Sequence, residues 1–258
     1  MSILRLLHSA DPVTPLSTRD VWRIDRAGAL SRLTRRTETL DPPGPGEVRV
    51  AVDAVGLNFA DVFACLGLYS ATPKGSFIPG LEFAGVVAAR GDGADPRFAV
   101  GDAVFGLTRF GGYVSAINVP TVALRHLPLG WSFAEGAAYP VQALTAWYGL
   151  VTLGAVTRDH VVLVQSAAGG VGLNALTILR ALGARTVAVV GNEAKREWLQ
   201  RERGLSRDAI VVRDRAGFPG ALDRVLSRMG VRGFNVVFDA VSGPYFQPAY
   251  TRLLPEGR

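Results

Sequence analysis

Cysteine and lysine are almost missing from this chain. Cys65 is the single cysteine, which excludes an internal disulfide and any cysteine-rich zinc lobe. One thiol suits a reducing compartment, and a cytoplasmic location is expected. Only Lys74 and Lys195 among the 28 basic residues are lysines, so arginine carries the formal net charge of +6. The arginines are interleaved with acids and form no block of five or six like charges. A nucleic-acid groove would gather them with aromatics, so no nucleic-acid partner is expected. No run of about 18 apolar residues occurs, and no membrane span is expected. What is present, 48% hydrophobic residues in 258, is enough to fill a sizeable core and exceeds the usual single-domain length. Two domains are expected.

Residues 1–20, "MSILRLLHSADPVTPLSTRD", have an apolar stretch at Ile3–Leu7 that is too short for a secretory signal. Arg, Ser and Leu suggest an organellar presequence, whereas Asp11 and two prolines argue against one. The segment is read as a disordered leader, with organellar targeting left open. From Val21 to about Pro120 the pattern is β-rich. "EVRVAVDAVGL" alternates after the turn-forming "DPPGPG", and "EFAGVVAAR", "VGDAVFGL" and "FGGYVSAINVP" read as further strands of a small barrel or sandwich.

After Pro120 strand and helix alternate. Ser132 with Glu135 has capping-box spacing, and the helix it opens is expected to break near Pro140. The spacing predicts strands at 161–165, 186–190, 209–212 and 235–239, and helices at 170–182, 193–203 and 220–229. That alternation argues for an α/β fold with a parallel sheet.

The turn "AAGGVG" places Ala167, Gly169 and Gly172 at G-x-G-x-x-G spacing, with alanine first. It follows an apolar strand and opens a helix, the context in which such a turn holds a dinucleotide pyrophosphate on helix N–H groups. Gly170 and Val171 lie within it. An NAD site puts an acid at the end of the next strand, but here that strand ends Val190-Gly191-Asn192. Lys195 and Arg196 follow and could face a 2′-phosphate, so NADP (as NADPH) is favoured. The alternative, Glu193 as ribose acid, stays open, as does a plain solvated first turn for Lys195 and Arg196.

The segments "GPGEVRVAVDAVGLNFADVFACLGLY", "PGLEFAGVV", "VGDAVFGL", "AAYPVQALTAWYGL" and "LVQSAAGGVGLNALTILRALGA" resemble, in order, the medium-chain dehydrogenase/reductase superfamily. The likeness is to its quinone oxidoreductase branch, and similar relatives are vesicle membrane oxidoreductase-like proteins and polyketide enoyl reductase domains. After the leader at 1–20, the resemblance implies a β-rich GroES-like catalytic domain over 21–140 and a Rossmann coenzyme-binding domain, a doubly wound parallel sheet, over 141–258. Zinc-dependent members hold the metal at positions that carry Asn58, Leu81 and Val141 here, so no catalytic zinc is expected.

By the same resemblance Asn58 lies beside the nicotinamide as a polarising or positioning group, and Tyr69 lies at the substrate. The bland alternatives are a turn-stabilising Asn and an ordinary packed Tyr. Many members have a tyrosine where this chain has Phe63, and Asp61 is expected to hold a loop rather than act as acid or base. Gln142 and Thr145 are placed near the nicotinamide end, Val241, Ser242 and Gly243 over its ring, and Arg213 near the adenosine phosphate. His8, His126 and His160 match no motif position and are read as bystanders.

The family sheet has six strands in the order 3-2-1-4-5-6, whereas the sequence shows four and ends "LLPEGR". A truncated, incomplete Rossmann sheet is therefore expected, with its fourth strand an open apolar edge. A homodimer is possible, but the strands that usually carry its contact are expected to be missing. The activity implied is zinc-free, NADPH-dependent reduction of a small-molecule quinone or α,β-unsaturated carbonyl. The alternatives are an enoyl-thioester reductase and a non-catalytic nucleotide-binding interaction protein.

Overall fold

Alternation in Glu47–Val55 buries Val48, Val50, Val52 and Ala54, and of their neighbours only Arg49 is buried as well. That strand, β3, lies near the centre of a five-stranded antiparallel sheet. The computed structural model describes residues 17–258, which fall into two compact units meeting between Val141 and Gln142.

In the first unit a hairpin of β1 (Thr18–Ile24) and β2 (Leu33–Thr39) stands beside the main sheet. The main sheet comprises β3, β4 (Glu82–Arg90), β5 (Ala103–Leu107), β6 (Ala116–Pro120) and β7 (Leu124–His126), in the order β6-β3-β4-β5-β7. Its core gathers Val50, Phe83, Val87, Val104 and Leu124. The leader expected over 1–20 needs correction at its end, because Thr18, Arg19 and Asp20 pair with Thr39, Glu38 and Thr37 as part of β1. The remainder of that expectation, residues 1–16, lies outside the described residues.

Helix α1 (Phe59–Leu66) follows β3. Helix α2 (Phe133–Ala137) opens on Ser132, whose hydroxyl accepts from the Glu135 N–H at 3.2 Å while the Glu135 carboxylate accepts from the Ser132 N–H at 2.8 Å. Helix α3 (Pro140–Trp147) starts at the proline and passes into a π-helical turn, Tyr148–Leu153.

The second unit has a parallel sheet of β8 (Val161–Val164), β9 (Arg185–Val190), β10 (Ile210–Val212) and β11 (Val236–Phe238) in the order β10-β9-β8-β11. Helices α4 (Gly170–Leu182), α5 (Glu193–Arg203), α6 (Phe218–Met229) and α7 (Phe246–Tyr250) complete it. The sheet buries both faces. Val162 and Val164 pack with Leu176 and Leu179, while Val161 and Leu163 pack with Phe218 and Leu222. Such two-sided burial explains why these strands read as continuous apolar runs.

The outer edge of β11 is not bare, contrary to expectation. Leu254 N–H donates to the Phe234 carbonyl at 2.9 Å, Arg258 N–H to Asn235 at 3.0 Å and Val237 N–H to Arg258 at 2.8 Å. The chain from Leu253 to Arg258 thus makes a parallel bridge at Phe234, turns, and reaches β11 itself only at Val237. At the opposite edge, β10 borders a cleft lined by Arg196, Arg207, Arg224 and Arg228.

Candidate functional site

In the first unit the site is built around Asn58, which caps α1 in extended conformation (φ −122°, ψ 153°). Its main-chain N–H donates to Asp61 Oδ2 at 2.8 Å, and its Nδ2 donates to Glu82 Oε1 at 2.8 Å. The other Glu82 oxygen, Oε2, accepts from the Val141 N–H at 2.8 Å. Asp61 Oδ2 also accepts from the Tyr113 hydroxyl at 2.9 Å. Two buried carboxyls therefore grip Asn58, one by its backbone and one by its side chain. Gly56 makes room for this arrangement, since a Cβ there would overlap Glu82 Oε1 and the Ala137 carbonyl.

Burial pushes the Glu82 carboxyl above the ordinary range, against the Val141 and Asn58 bonds, and the charge of Asp61 adds to the rise. Burial does the same to Asp61, against bonds from Asn58, Tyr113 and Gly80. Burial followed by Asp61 drives the Tyr113 phenol well up. A carboxyl raised in the folded state contributes stability that is fully present below its unfolded value and lost as pH rises through its folded value. Glu82→Gln removes that dependence. The melting temperature of the variant relative to wild type is expected to climb with pH above the ordinary carboxylate range, then level off. Thermal melts across that range check this, and a constant difference would refute it.

Tyr69 lies beyond the other end of α1, which closes on left-handed Gly67 (φ 75°). Roughly 12 Å of helix separates the two backbone positions. Tyr69 is 38% exposed, and Phe63 is also exposed, its ring tilted against that of Phe59 with centroids 6.4 Å apart. Leu81 immediately precedes Glu82, so Glu82 touches or adjoins all three positions that a zinc ion would need. Asn, Leu and Val offer no thiolate or imidazole, and the donor set does not fit zinc. Among the described residues no cluster of three His, Cys, Asp or Glu is placed for any metal.

In the second unit β8 passes into α4 through Ser166, which takes φ 53°, and buried Ala167, whose N–H bonds the Val189 carbonyl at 2.9 Å. Gly169 caps α4 and accepts from Leu173 N–H at 2.8 Å. The N–H groups of Gly170, Val171 and Gly172 form the first turn, which lacks intrahelical acceptors. A Cβ on Gly172 would lie 2.7 Å from Ala167 Cα, and one on Gly170 would strike the Gln142 carboxamide. The turn thus clears backbone for an anion and draws Gln142 to its rim. This cradle fits a dinucleotide pyrophosphate.

Thr145 is exposed one turn along α3 from Gln142. Beyond β11, Asp239 Oδ1 accepts from the N–H groups of Val241 (2.7 Å) and Ser242 (2.9 Å). It holds Ser242 and Gly243 at positive φ, 56° and 59°. The Arg213 N–H bonds the Val190 carbonyl at 2.8 Å. Its guanidinium lies over Gly191, 5.4 Å from the Tyr245 ring. Lys195 is exposed at the start of α5, its N–H held by Asn192 Oδ1 at 3.0 Å. Glu193 pairs with Arg196 and, at 3.0 Å, with Arg207.

Sequence reading missed Glu82, Tyr113 and Asp239, all buried or half-buried polar groups. The signal for Glu82 was an acid inside an apolar strand.

Residues 44–143 match the alcohol dehydrogenase GroES-like domain model. The crystal structure of CurK enoyl reductase superposes with a TM-score of 0.82 at 30% identity, covering 93% of this chain and 72% of that one. The chain belongs to the medium-chain dehydrogenase/reductase superfamily. A Pseudomonas syringae quinone oxidoreductase structure gives a TM-score of 0.78 at 29% identity, covering 93% of this chain and 71% of that one. A mycobacterial structure complexed with NADPH gives 0.77 at 28%, covering 91% and 70%. A mycocerosic acid synthase-like polyketide synthase of Mycobacterium tuberculosis is 38% identical over 243 residues, 90% of this chain and 11% of that protein. The human synaptic vesicle membrane protein VAT-1 homolog is 34% identical over 229 residues, 88% of this chain and 56% of that protein. The chain thus spans about a tenth of the synthase and about half of the vesicle protein. Among the described residues no helix is long and apolar enough to cross a membrane.

Proposed function

We propose that this chain reduces a quinone or α,β-unsaturated carbonyl with NADPH and no metal. The observation that carries the reading is the bend at Ser166–Gly172, where glycine backbone and free helix N–H groups form an anion cradle. Residues 21–140 are assigned as catalytic domain and 141–258 as coenzyme-binding domain.

NADPH, when bound, supplies the hydride. Gly169, Gly170, Val171 and Gly172 hold its pyrophosphate against Ala167. The engagement of Glu193 by Arg196 and Arg207 supports NADPH over NADH, because it occupies the candidate ribose acid, while Arg213 lies over Gly191 and Lys195 is exposed in the first turn of α5 for a 2′-phosphate. Gln142, Thr145, Val241, Ser242 and Gly243 serve the nicotinamide end. Asn58 and Tyr69 serve the acceptor. A conjugated carbonyl needs only hydrogen-bonding side chains to steady its developing enolate, each contributing a few kcal/mol in a dry site. Asn58, Leu81 and Val141 support a metal-free reaction.

An enoyl-thioester reductase is the second reading, favoured by the likeness to CurK enoyl reductase and to a polyketide synthase. A non-catalytic nucleotide-binding protein is the third, motivated by the vesicle protein. NADPH consumption with a quinone and, separately, with a crotonyl thioester tests all three. Turnover of the quinone alone supports the proposal, and turnover of the thioester alone replaces it with the second reading. Tight NADPH binding without turnover on either replaces it with the third.

A further inference from the structure

Glu82 is fully buried, yet both its oxygens are used: Oε1 accepts from Asn58 Nδ2 and Oε2 from the Val141 N–H, each at 2.8 Å. Both partners are donors, so the carboxyl dictates the sense of the Asn58 carboxamide. Reversing that group would set Oδ1 against Oε1, acceptor against acceptor, in a buried setting where such a clash is costly. The backbone of Asn58 is fixed independently by Asp61, itself held by Tyr113. Gly56 is the only residue type that leaves space for this contact, as any Cβ there would overlap Glu82 Oε1.

We propose that Glu82 is a positioning residue: it holds the Asn58 carboxamide by Nδ2, so that Oδ1 turns to the Asp61 N–H in the cap of α1 and the second Nδ2 hydrogen is presented to the acceptor. The inference rests on the reading that Asn58 serves hydride transfer and sharpens it. Asn58 then acts by donating its second amide hydrogen to the acceptor's oxygen, the first being committed to Glu82 and Oδ1 to the cap of α1. Glutamine at position 82 has only one acceptor oxygen. If that oxygen keeps the Val141 N–H, its amide faces Asn58 and turns the Asn58 carboxamide round.

The test is a double-mutant cycle of Asn58→Ala and Glu82→Gln in the full chain, read as kcat and as KM for NADPH, with thermal melts alongside. The Asn58 side-chain amide resonances are followed by NMR in wild type and Glu82→Gln. Each single substitution is expected to lower kcat by about 100-fold, the scale of a small misplacement at a reacting centre. KM for NADPH should hold within about twofold, and the double variant should fall no further than the singles, because both remove one coupled unit. The Asn58 amide resonances should move in Glu82→Gln while the protein stays folded. Multiplicative losses, or full kcat in Glu82→Gln beside a loss in Asn58→Ala, overturn the inference alone. Full kcat in Asn58→Ala overturns the role of Asn58 and the inference with it. Should wild type show no turnover, the NMR arm decides, and unmoved Asn58 resonances overturn the orientation assigned to Glu82.

Discussion

Gly172→Ala is expected to remove NADPH binding and to destabilise the second unit. Its added Cβ would lie 2.7 Å from Ala167 Cα and 2.8 Å from the Ala167 carbonyl carbon, and would overlap the Ser166 carbonyl oxygen. These are backbone atoms, so no rotamer change relieves the conflict. The helix must back away from the bend or the bend must open. Ala167 is anchored to Val189 and Ser166 already takes φ 53°, so neither movement is easy. Overpacking of this kind costs about 1–3 kcal/mol in ordinary cores, and here it falls on the backbone that would carry the phosphates. Gly220→Ala, in α6 and outside the bend, is the control. Its Cβ would meet only the Arg224 guanidinium, at 3.4 Å, an ordinary contact. Thermal melts and NADPH titration by fluorescence check both variants. Wild-type affinity in Gly172→Ala would show that the bend is not the phosphate seat.

Coenzyme choice gives the second large effect. Lys195→Ala and Arg213→Ala together are expected to weaken NADPH and leave NADH unchanged. Each charge-assisted contact to the 2′-phosphate contributes roughly 1.5–3 kcal/mol, so losing one raises Kd by about 10- to 150-fold. The two residues stand on different elements. Lys195 lies in the first turn of α5, while Arg213 follows β10 and is steadied by the Val190 carbonyl and the Tyr245 ring. Equal weakening of both coenzymes, measured by parallel titrations, would refute NADP selectivity. So would a wild type that prefers NADH.

The sequence made some elements legible to the residue and hid others. Helices α4 and α5 run from Gly170 to Leu182 and from Glu193 to Arg203 as expected, because glycine or asparagine caps one end of each and glycine closes the other. Ser132 and Glu135 announced α2. By contrast, α1 is only eight residues long, and its cap, Asn58 with Asp61, lies where an asparagine reads equally well as turn. The partners of Glu82 are 24 and 59 residues away along the chain, a pairing no local pattern encodes. Arg213 above Gly191 depends on β10 lying beside β9, a matter of sheet order. The edge of β11 was misjudged for a similar reason. "TRLLPEGR" carries turn residues rather than strand alternation, yet its main chain pairs beside Phe234–Val237.

β11 meets the Leu253–Arg258 segment through Val237 alone, and β10 is the strand at the other flank of this sheet. It is three residues long, and four guanidinium groups stand around it. Arg196 and Arg207 rest on Glu193, and Arg228 on Asp208, so most of this charge is tied down. A second copy approaching to extend the sheet would gain few amide bonds from so short a strand and would have to displace these ion pairs, which makes the flank a poor template for strand addition.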